Sequence, residues 1–335
     1  MDLNTIWFIL ISGLFVGFFV LEGFDFGVGI VMPFLGKDAR ARETGIKTIE
    51  PFWDGNEVWL ITAGASMFAA FPHWYATLFS GLFIPLVLLL MALILRGVAI
   101  EFRNKHEGRR WQAWWQSLFF VGSLVPALLW GVALSNMVRG LPIDAEMTYV
   151  GGFWNLLNPF SLVGGLAFVL LFALHGALFI SLRTLGSVKQ QAERIAVRTG
   201  IPALVLLAAF VAYAGFETDL FKQGGLSGYV AAGAGALALG AVILAWKGRF
   251  GWAFALTFAA IAGVTSGLFM TLYPRVLISS LDSAWNLTVY NAASSPYTLR
   301  IMTIISALFL PVILLYEGWT YWVFRKRIEG EPVAY

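Results

Sequence analysis

The sequence predicts an all-α integral membrane protein of about nine transmembrane helices, and three observations carry that expectation. Of 335 residues, 59% are hydrophobic and only 12% charged, about half the charged share of an ordinary soluble domain. Mean hydropathy is +0.78. Apolar runs long enough to cross a bilayer, roughly 17–25 residues each, recur from one end of the chain to the other. With no long linker and no low-complexity tract between them, residues 1–335 read as a single polytopic membrane domain.

The first run spans about 6–32. "MDLNT" ahead of it holds no Lys or Arg, so it lacks the basic start of a secretory signal and the run is expected to remain in the mature protein. The second and third runs, 55–72 and 75–96, are joined only by "FPHWY" around Pro72 and are expected to form a tight helical hairpin. Six more follow near 116–137, 160–182, 200–216, 228–246, 252–273 and 301–324. The expected arrangement is two four-helix bundles plus one peripheral helix. Glycine spacing at Gly13/Gly17, at Gly23/Gly27 and around Gly122 and Gly131 suits close helix contact. The tryptophans and tyrosines of "WQAWWQ" (111–116) and "YEGWTYW" (316–322) suit interfacial anchoring.

Charge sets the expected orientation. With the N-terminus outside, 18 of the 22 Lys and Arg fall on inner connections (Lys37 and Arg96 among them), and 4 fall outside: Arg139, Lys222, Arg275 and Arg300. This is a strong positive-inside bias, and it requires an odd number of spans with a cytoplasmic C-terminus. The net charge of +3 and pI near 9.1 therefore mark topology, not a nucleic-acid partner. The absence of Cys excludes disulfides, thiolate metal sites and a thiol nucleophile.

Two carboxylates interrupt the first span. An acid at a helix centre costs about 2.5–3.5 kcal/mol on insertion, so Glu22 and Asp25 cost roughly 5–7 kcal/mol. The twelve Leu, Ile, Phe and Val between Ile6 and Leu21 return about 0.3–0.6 kcal/mol each, or roughly 4–7 kcal/mol. The span is marginal alone and needs neighbours. Three residues apart, the two acids share a helix face. In a dry site they do not both ionise readily, and a carboxyl that keeps its proton is suited to passing one on. The bland alternative is a pair of acids satisfied by hydroxyls or by a cation such as Arg96.

A second acidic cluster is "EPFWDGNEVWL" (50–60). Asp54 just before an apolar run, with Glu57 three residues on, has the pattern of a capping box. It also stands on the inner face, while Asp25 lies about 10 Å from the inner end of its span at helical rise. Asp54 is thus expected to gather protons at the surface, with Asp25 one step deeper. His175 is the one histidine in a span; "FALHGALF" reads as a hydrogen-bonded core imidazole rather than a haem ligand, because a transmembrane b-type haem takes two axial ligands. Glu317 in the last span reads as snorkelled or paired. No metal triad, phosphate-cradling loop or nucleophile motif is present, so no catalytic residue is assigned to this chain and its cofactor-binding residues stay unassigned.

"EGFDFGVG" (22–29) followed by "PFWDGNEVWLITAG" (51–64) resembles the second subunit of cytochrome bd-type quinol oxidases. The likeness extends through "SGLFIPLVLLLMALILRGVAIEFR" (80–103), "NLLNPFSLVGG" (155–165) and "PVILLYEGWTYW" (311–322). The resemblance implies an obligate heterodimer in a prokaryotic plasma membrane, whose larger subunit I carries the quinol site, two haem b and one haem d. Such a complex oxidises quinol, reduces dioxygen to water and takes protons from the cytoplasm without pumping. By motif, the proton-path acids fall on Asp25 and Asp54, with Trp53 beside the latter and Arg96 as the nearby cation; Glu22 and Glu57 join them by position. Some relatives carry Asp where this chain has Glu22. The resemblance leaves open a quinone bound to this subunit and a small accessory membrane subunit. Two rivals remain: a proton-coupled secondary transporter, which would show uptake as a pure chain in liposomes, and an inert scaffold, which would tolerate loss of Asp25 and Asp54.

Overall fold

A computed structural model describes residues 2–36, 38–222 and 225–328; Lys37, one of the cations assigned to the inner side, lies outside the described residues. The chain is almost entirely helical because a backbone in hydrocarbon must satisfy its own polar groups. In order come α1 (Leu3–Val31), α2 (Ala39–Lys47), α3 (Trp53–Ala70), α4 (Pro72–Gly81), α5 (Phe83–Phe102) and α6 (Arg109–Arg139). After them follow α7 (Pro159–Arg183), α8 (Gly186–Glu217), α9 (Leu226–Trp246), α10 (Phe250–Leu272), the two-stranded pair β1 (Arg275–Leu277) and β2 (Leu287–Thr288), and α11 (Pro296–Val323). Eight helices are long and apolar enough to cross a membrane. The 18-residue α3, which carries Asp54 and Glu57, makes the ninth long helix among the described residues.

Helix starts follow the local sequence. Asp2 accepts the Thr5 N–H at 2.7 Å to cap α1. Asn158 accepts the Ser161 N–H at 2.9 Å ahead of Pro159, and Ser295 accepts the Thr298 N–H at 3.2 Å ahead of Pro296. Side-chain acceptors at the cap with proline at the first helical position are the expected pairing.

The expected hairpin at Pro72 takes a different form. Pro72 opens the ten-residue α4, and the third long helix is 83–102 rather than 75–96. The break falls at Leu82 (φ −96°, ψ 20°). Pro85 lacks the N–H that would bond the Gly81 carbonyl, and its ring would collide with that carbonyl in a continuous helix. The later end of α5 also moves Arg96. It lies six residues before the helix end and is fully buried, so it is an intramembrane cation and not a loop charge. Without it the inner count is 18 − 1 = 17 against 4, which leaves the bias intact.

Helices α1, α3, α5 and α6 pack as one group and α7 to α10 as a second, with α1 and α6 meeting α7 across the middle. The joint between groups depends on absent side chains. A Cβ at Gly27 of α1 would overlap the Phe172 carbonyl and Gly176 of α7, and a Cβ at Gly131 of α6 would lie 2.6 Å from the Gly164 carbonyl. Gly13 makes no such contact: a Cβ there meets nothing within 4 Å, so its expected packing role is not realised. In α9 the buried alanines 231, 234, 238, 241 and 245 alternate three and four apart, a seam against α10. Helix α11 stands at the periphery, with Leu299 as its one buried residue.

Candidate functional site

The site forms where α1, α3, α5 and α11 meet. Glu22 and Asp25 are both fully buried on α1. From α5, the buried Arg96 guanidinium pairs with Glu22, reaches Glu57 of α3 at 3.3 Å, and lies 4.9 Å from the centre of the Phe26 ring. Its approach to α6 is close: a Cβ at Gly122 would fall 2.8 Å from Arg96 Cβ. Asp25 is held by a different residue. Asn56 of α3 donates from Nδ2 to Asp25 Oδ2 at 2.7 Å, and Tyr321 of α11 donates to Asn56 Oδ1 at 2.8 Å. The Tyr321 ring stacks on Phe52 with centroids 4.5 Å apart and planes 4° from parallel.

The expected capping box does not form. Phe52, not Asp54, is the N-cap of α3 and makes no side-chain cap bond. The preceding backbone turn supplies an acceptor instead: Ile49 O takes the Phe52 N–H at 2.8 Å and the Trp53 N–H at 3.0 Å. With those donors satisfied, Glu57 is free to face Arg96 rather than reach back. Asp54 sits exposed in the first turn, where the helix dipole favours an anion. It lines the polar end of an otherwise apolar groove of about 930 Å³ between α3 and α5, with Trp53 and Glu57 beside it. Trp53 rests on α5, 3.3 Å from where a Cβ at Gly97 would stand. Of the residues expected from sequence, Glu22, Asp25, Glu57 and Arg96 thus come together, Trp53 and Asp54 lie at their surface side, and His175 lies apart.

Asn56 and Tyr321 were not expected. Asn56 is hidden between two acids in "WDGNE", and Tyr321 reads as one more aromatic of an interfacial belt. The signal available was an uncharged amide in the first turn of a membrane helix, a costly group to bury without partners. Glu317, expected to be snorkelled or paired, has no ion-pair partner among the described residues; its carboxylate points to the α3 start, 3.6 Å from where a Cβ at Gly55 would be. Tyr321 follows it by one turn on the same face.

Four polar atoms of the cluster have no hydrogen-bond partner among the described residues: Glu22 Oε2, Asp25 Oδ1, and Nε and Nη2 of Arg96. The charge count is equally uneven, with one guanidinium against the three carboxyls of Glu22, Asp25 and Glu57. Buried like charges repel strongly, and one guanidinium does not balance three ionised carboxyls.

At the end of α5, Arg103 clamps α2 to α5. It donates to Glu43 from Nε at 2.8 Å and from Nη2 at 3.0 Å, and it pairs with Glu50. Burial pushes the Glu43 carboxyl up, but the bonds and charge of Arg103, with Asn104, outweigh it and hold Glu43 below its ordinary range.

His175 is packed between α7 and α10. It is fully buried, its Nδ1 lies 2.7 Å from Thr257 Oγ1, and its ring stacks on Phe254 at 4.4 Å and 4°. That is the expected core imidazole. No group of three or more metal-ligating side chains occurs among the described residues.

Residues 3–324 match the family described as Cytochrome bd terminal oxidase subunit II. The chain belongs to that family. It is 43% identical to the cytochrome bd ubiquinol oxidase subunit 2 of Bacillus subtilis over 336 residues, covering 100% of this chain and 99% of the relative. It is 35% identical to the cytochrome bd-I ubiquinol oxidase subunit 2 of Escherichia coli, covering 99% and 96%. In three dimensions it resembles a chain of the bd oxidase from Geobacillus thermodenitrificans, with a TM-score of 0.75 and 18% identity, covering 97% of this chain and 100% of the other. The bd-type fold and the all-α membrane architecture are therefore shared. As a subunit II chain it is one part of a terminal oxidase, with a subunit I as partner.

Proposed function

We propose that this subunit II supports a haem-bearing subunit I in quinol oxidation and dioxygen reduction, and that it carries part of the route by which protons reach that chemistry from the cytoplasm. Two haem b and one haem d belong to subunit I in this reading, where they supply the electron transfer and oxygen chemistry. The chain sits in the prokaryotic plasma membrane with its N-terminus outside. The observation that carries the reading is the buried cluster itself: three carboxyls on two helices share one guanidinium, next to an exposed acid at the inner end of the groove.

Asp54 collects protons at the surface, Glu57 forms the step inward, and Asp25 and then the Arg96-paired Glu22, three residues farther from the inner end of α1, are the buried acids. Water fits at the unpartnered Asp25 Oδ1 and Glu22 Oε2, since buried oxygens of this kind are commonly met by ordered water. Arg96 keeps the carboxyls from repelling each other out of the site. A quinone held by this subunit would take the apolar groove between α3 and α5.

The test is Asp25→Asn and Asp54→Asn in the intact two-subunit oxidase, with oxygen reduction measured under saturating quinol. Asp25→Asn is expected to lower the rate about tenfold or more, and Asp54→Asn about two- to threefold, because Glu57 and water bypass the outer acid. Normal turnover with both acids replaced leaves an inert scaffold. Proton-coupled uptake by the pure chain in liposomes would instead make it a transporter.

A further inference from the structure

We infer that Tyr321 and Asn56 are positioning residues for Asp25, so that the peripheral helix α11 sets the orientation of an acid buried in α1. The inference deepens the proton reading of Asp25 and rests on it. The chain of contacts is short: Tyr321 O–H to Asn56 Oδ1 at 2.8 Å, then Asn56 Nδ2–H to Asp25 Oδ2 at 2.7 Å.

An asparagine amide has one donor end and one acceptor end of nearly the same shape, so its neighbours decide which way it faces. An ionised carboxylate only accepts. Tyr321, by donating to Oδ1, turns the NH₂ end toward Asp25. Without that hydroxyl the amide is free to present its oxygen to the carboxylate, which repels it.

Neither partner is suited to pass the proton itself, because an amide does not readily take up or release one. The α11 branch therefore orients and does not conduct. With Oδ2 held by the Asn56 amide, Asp25 keeps Oδ1, which no amide, hydroxyl or guanidinium meets among the described residues, as its exchanging oxygen, with the Glu22 carboxyl in hydrogen-bonding reach of the same acid. The charged and titratable groups acting on this carboxyl are Glu22 on its own helix, Glu57 on α3, Arg96 on α5 and Tyr321 on α11.

Tyr321 is itself held in place. Its ring lies on Phe52, and the Arg183 guanidinium is 5.4 Å from the centre of that same Phe52 ring. Phe52 is the N-cap of α3, four residues before Asn56. The stack thus fixes Tyr321 against the helix turn that carries the amide. Of the 28 residues of α11 only Leu299 is buried; the Tyr321 contact tethers one end of the helix, and Trp7, donating to Leu299 O at 3.1 Å and Thr303 Oγ1 at 3.0 Å, holds the other.

The test uses the intact oxidase with Tyr321→Phe, which keeps the ring stack and removes one oxygen, and Asn56→Leu, with Asp25→Asn as reference. The readouts are turnover and its pH profile. Tyr321→Phe is expected to lower turnover about two- to fivefold and displace the profile by about half a pH unit; Asn56→Leu is expected to lower it about tenfold and displace it by about one unit. Profiles that coincide with wild type in both variants overturn the inference, whether turnover is kept or lost, because a merely structural role changes the amount of competent enzyme and not its titration. A wild-type rate for Asp25→Asn overturns the proton reading instead, and is seen in a separate variant.

Discussion

Helices α1, α3, α5 and α6 enclose Glu22, Asp25, Asn56 and Arg96 without exposure, whereas α7 to α10 bury hydroxyls, one imidazole and, at the last residue of α7, Arg183. The hydroxyls of the second group bond mostly within their own helices: Ser181 to Leu178 O at 2.7 Å, Thr265 to Ile261 O at 2.7 Å and Thr271 to Gly267 O at 2.8 Å. They ask nothing of a neighbour, so those helices associate through alanine and glycine seams. In the first group Glu22, Asp25, Asn56 and Arg96 each find a partner on another helix. One half of the molecule is joined by shape and the other by exchange of polar partners.

Arg96→Met should break this contrast most severely. Removing one member of a buried ion pair leaves uncompensated charge and costs about 3–5 kcal/mol. The expected result is a large loss of assembled two-subunit oxidase and early unfolding on a heat ramp in detergent. Stability equal to wild type would mean that the first group, too, is held by shape alone. His175→Leu makes the complementary change in the second group. It removes the bond to Thr257, whose hydroxyl still reaches Phe254 O at 2.9 Å. A loss of about 1 kcal/mol is expected, with turnover per assembled complex unchanged; a fall in turnover would extend the functional region across the joint.

The smallest effect is expected at the surface of the first group. Glu43→Gln weakens the Arg103 clamp by about 1 kcal/mol or less, because Glu43 is partly exposed. Since Glu43 is held below its ordinary range in the folded chain, its contribution is complete above the unfolded value of about 4.3 and is lost as pH falls through the folded value. Melting curves of Glu43→Gln and wild type should differ at neutral pH and converge as the solution is acidified below the folded value. A difference that persists in acid would assign the clamp to packing rather than charge.

Much of this was legible in the sequence because the membrane makes hydropathy and acidity conspicuous. The long helices and the core place of His175 follow from single segments, while the pairing of Glu22 with Arg96, 74 residues away, was foreseen only as the bland alternative to a proton role. The break before Pro85 was missed because hydropathy stays high from Phe79 to Leu95, while the cause is one absent N–H. Asp54 was assigned a cap that the backbone turn at Ile49 and Phe52 already provides, an arrangement that depends on conformation rather than residue type. Asn56 and Tyr321 are 265 residues apart, and nothing local to either announces the other.

The Glu22–Arg96 pair has a consequence for how the chain is made. Its members are 74 residues apart, so at roughly 5–20 residues per second the acid leaves the ribosome some 4–15 s before its counter-ion. Asn56 follows Asp25 by only 31 residues, so for most of that interval α1 has at most the α3 amide, and no cation, to meet its carboxyls. The earliest helix is therefore only marginally suited to the bilayer until α5 has been synthesised, and a charge delivered late completes what the first helix needs.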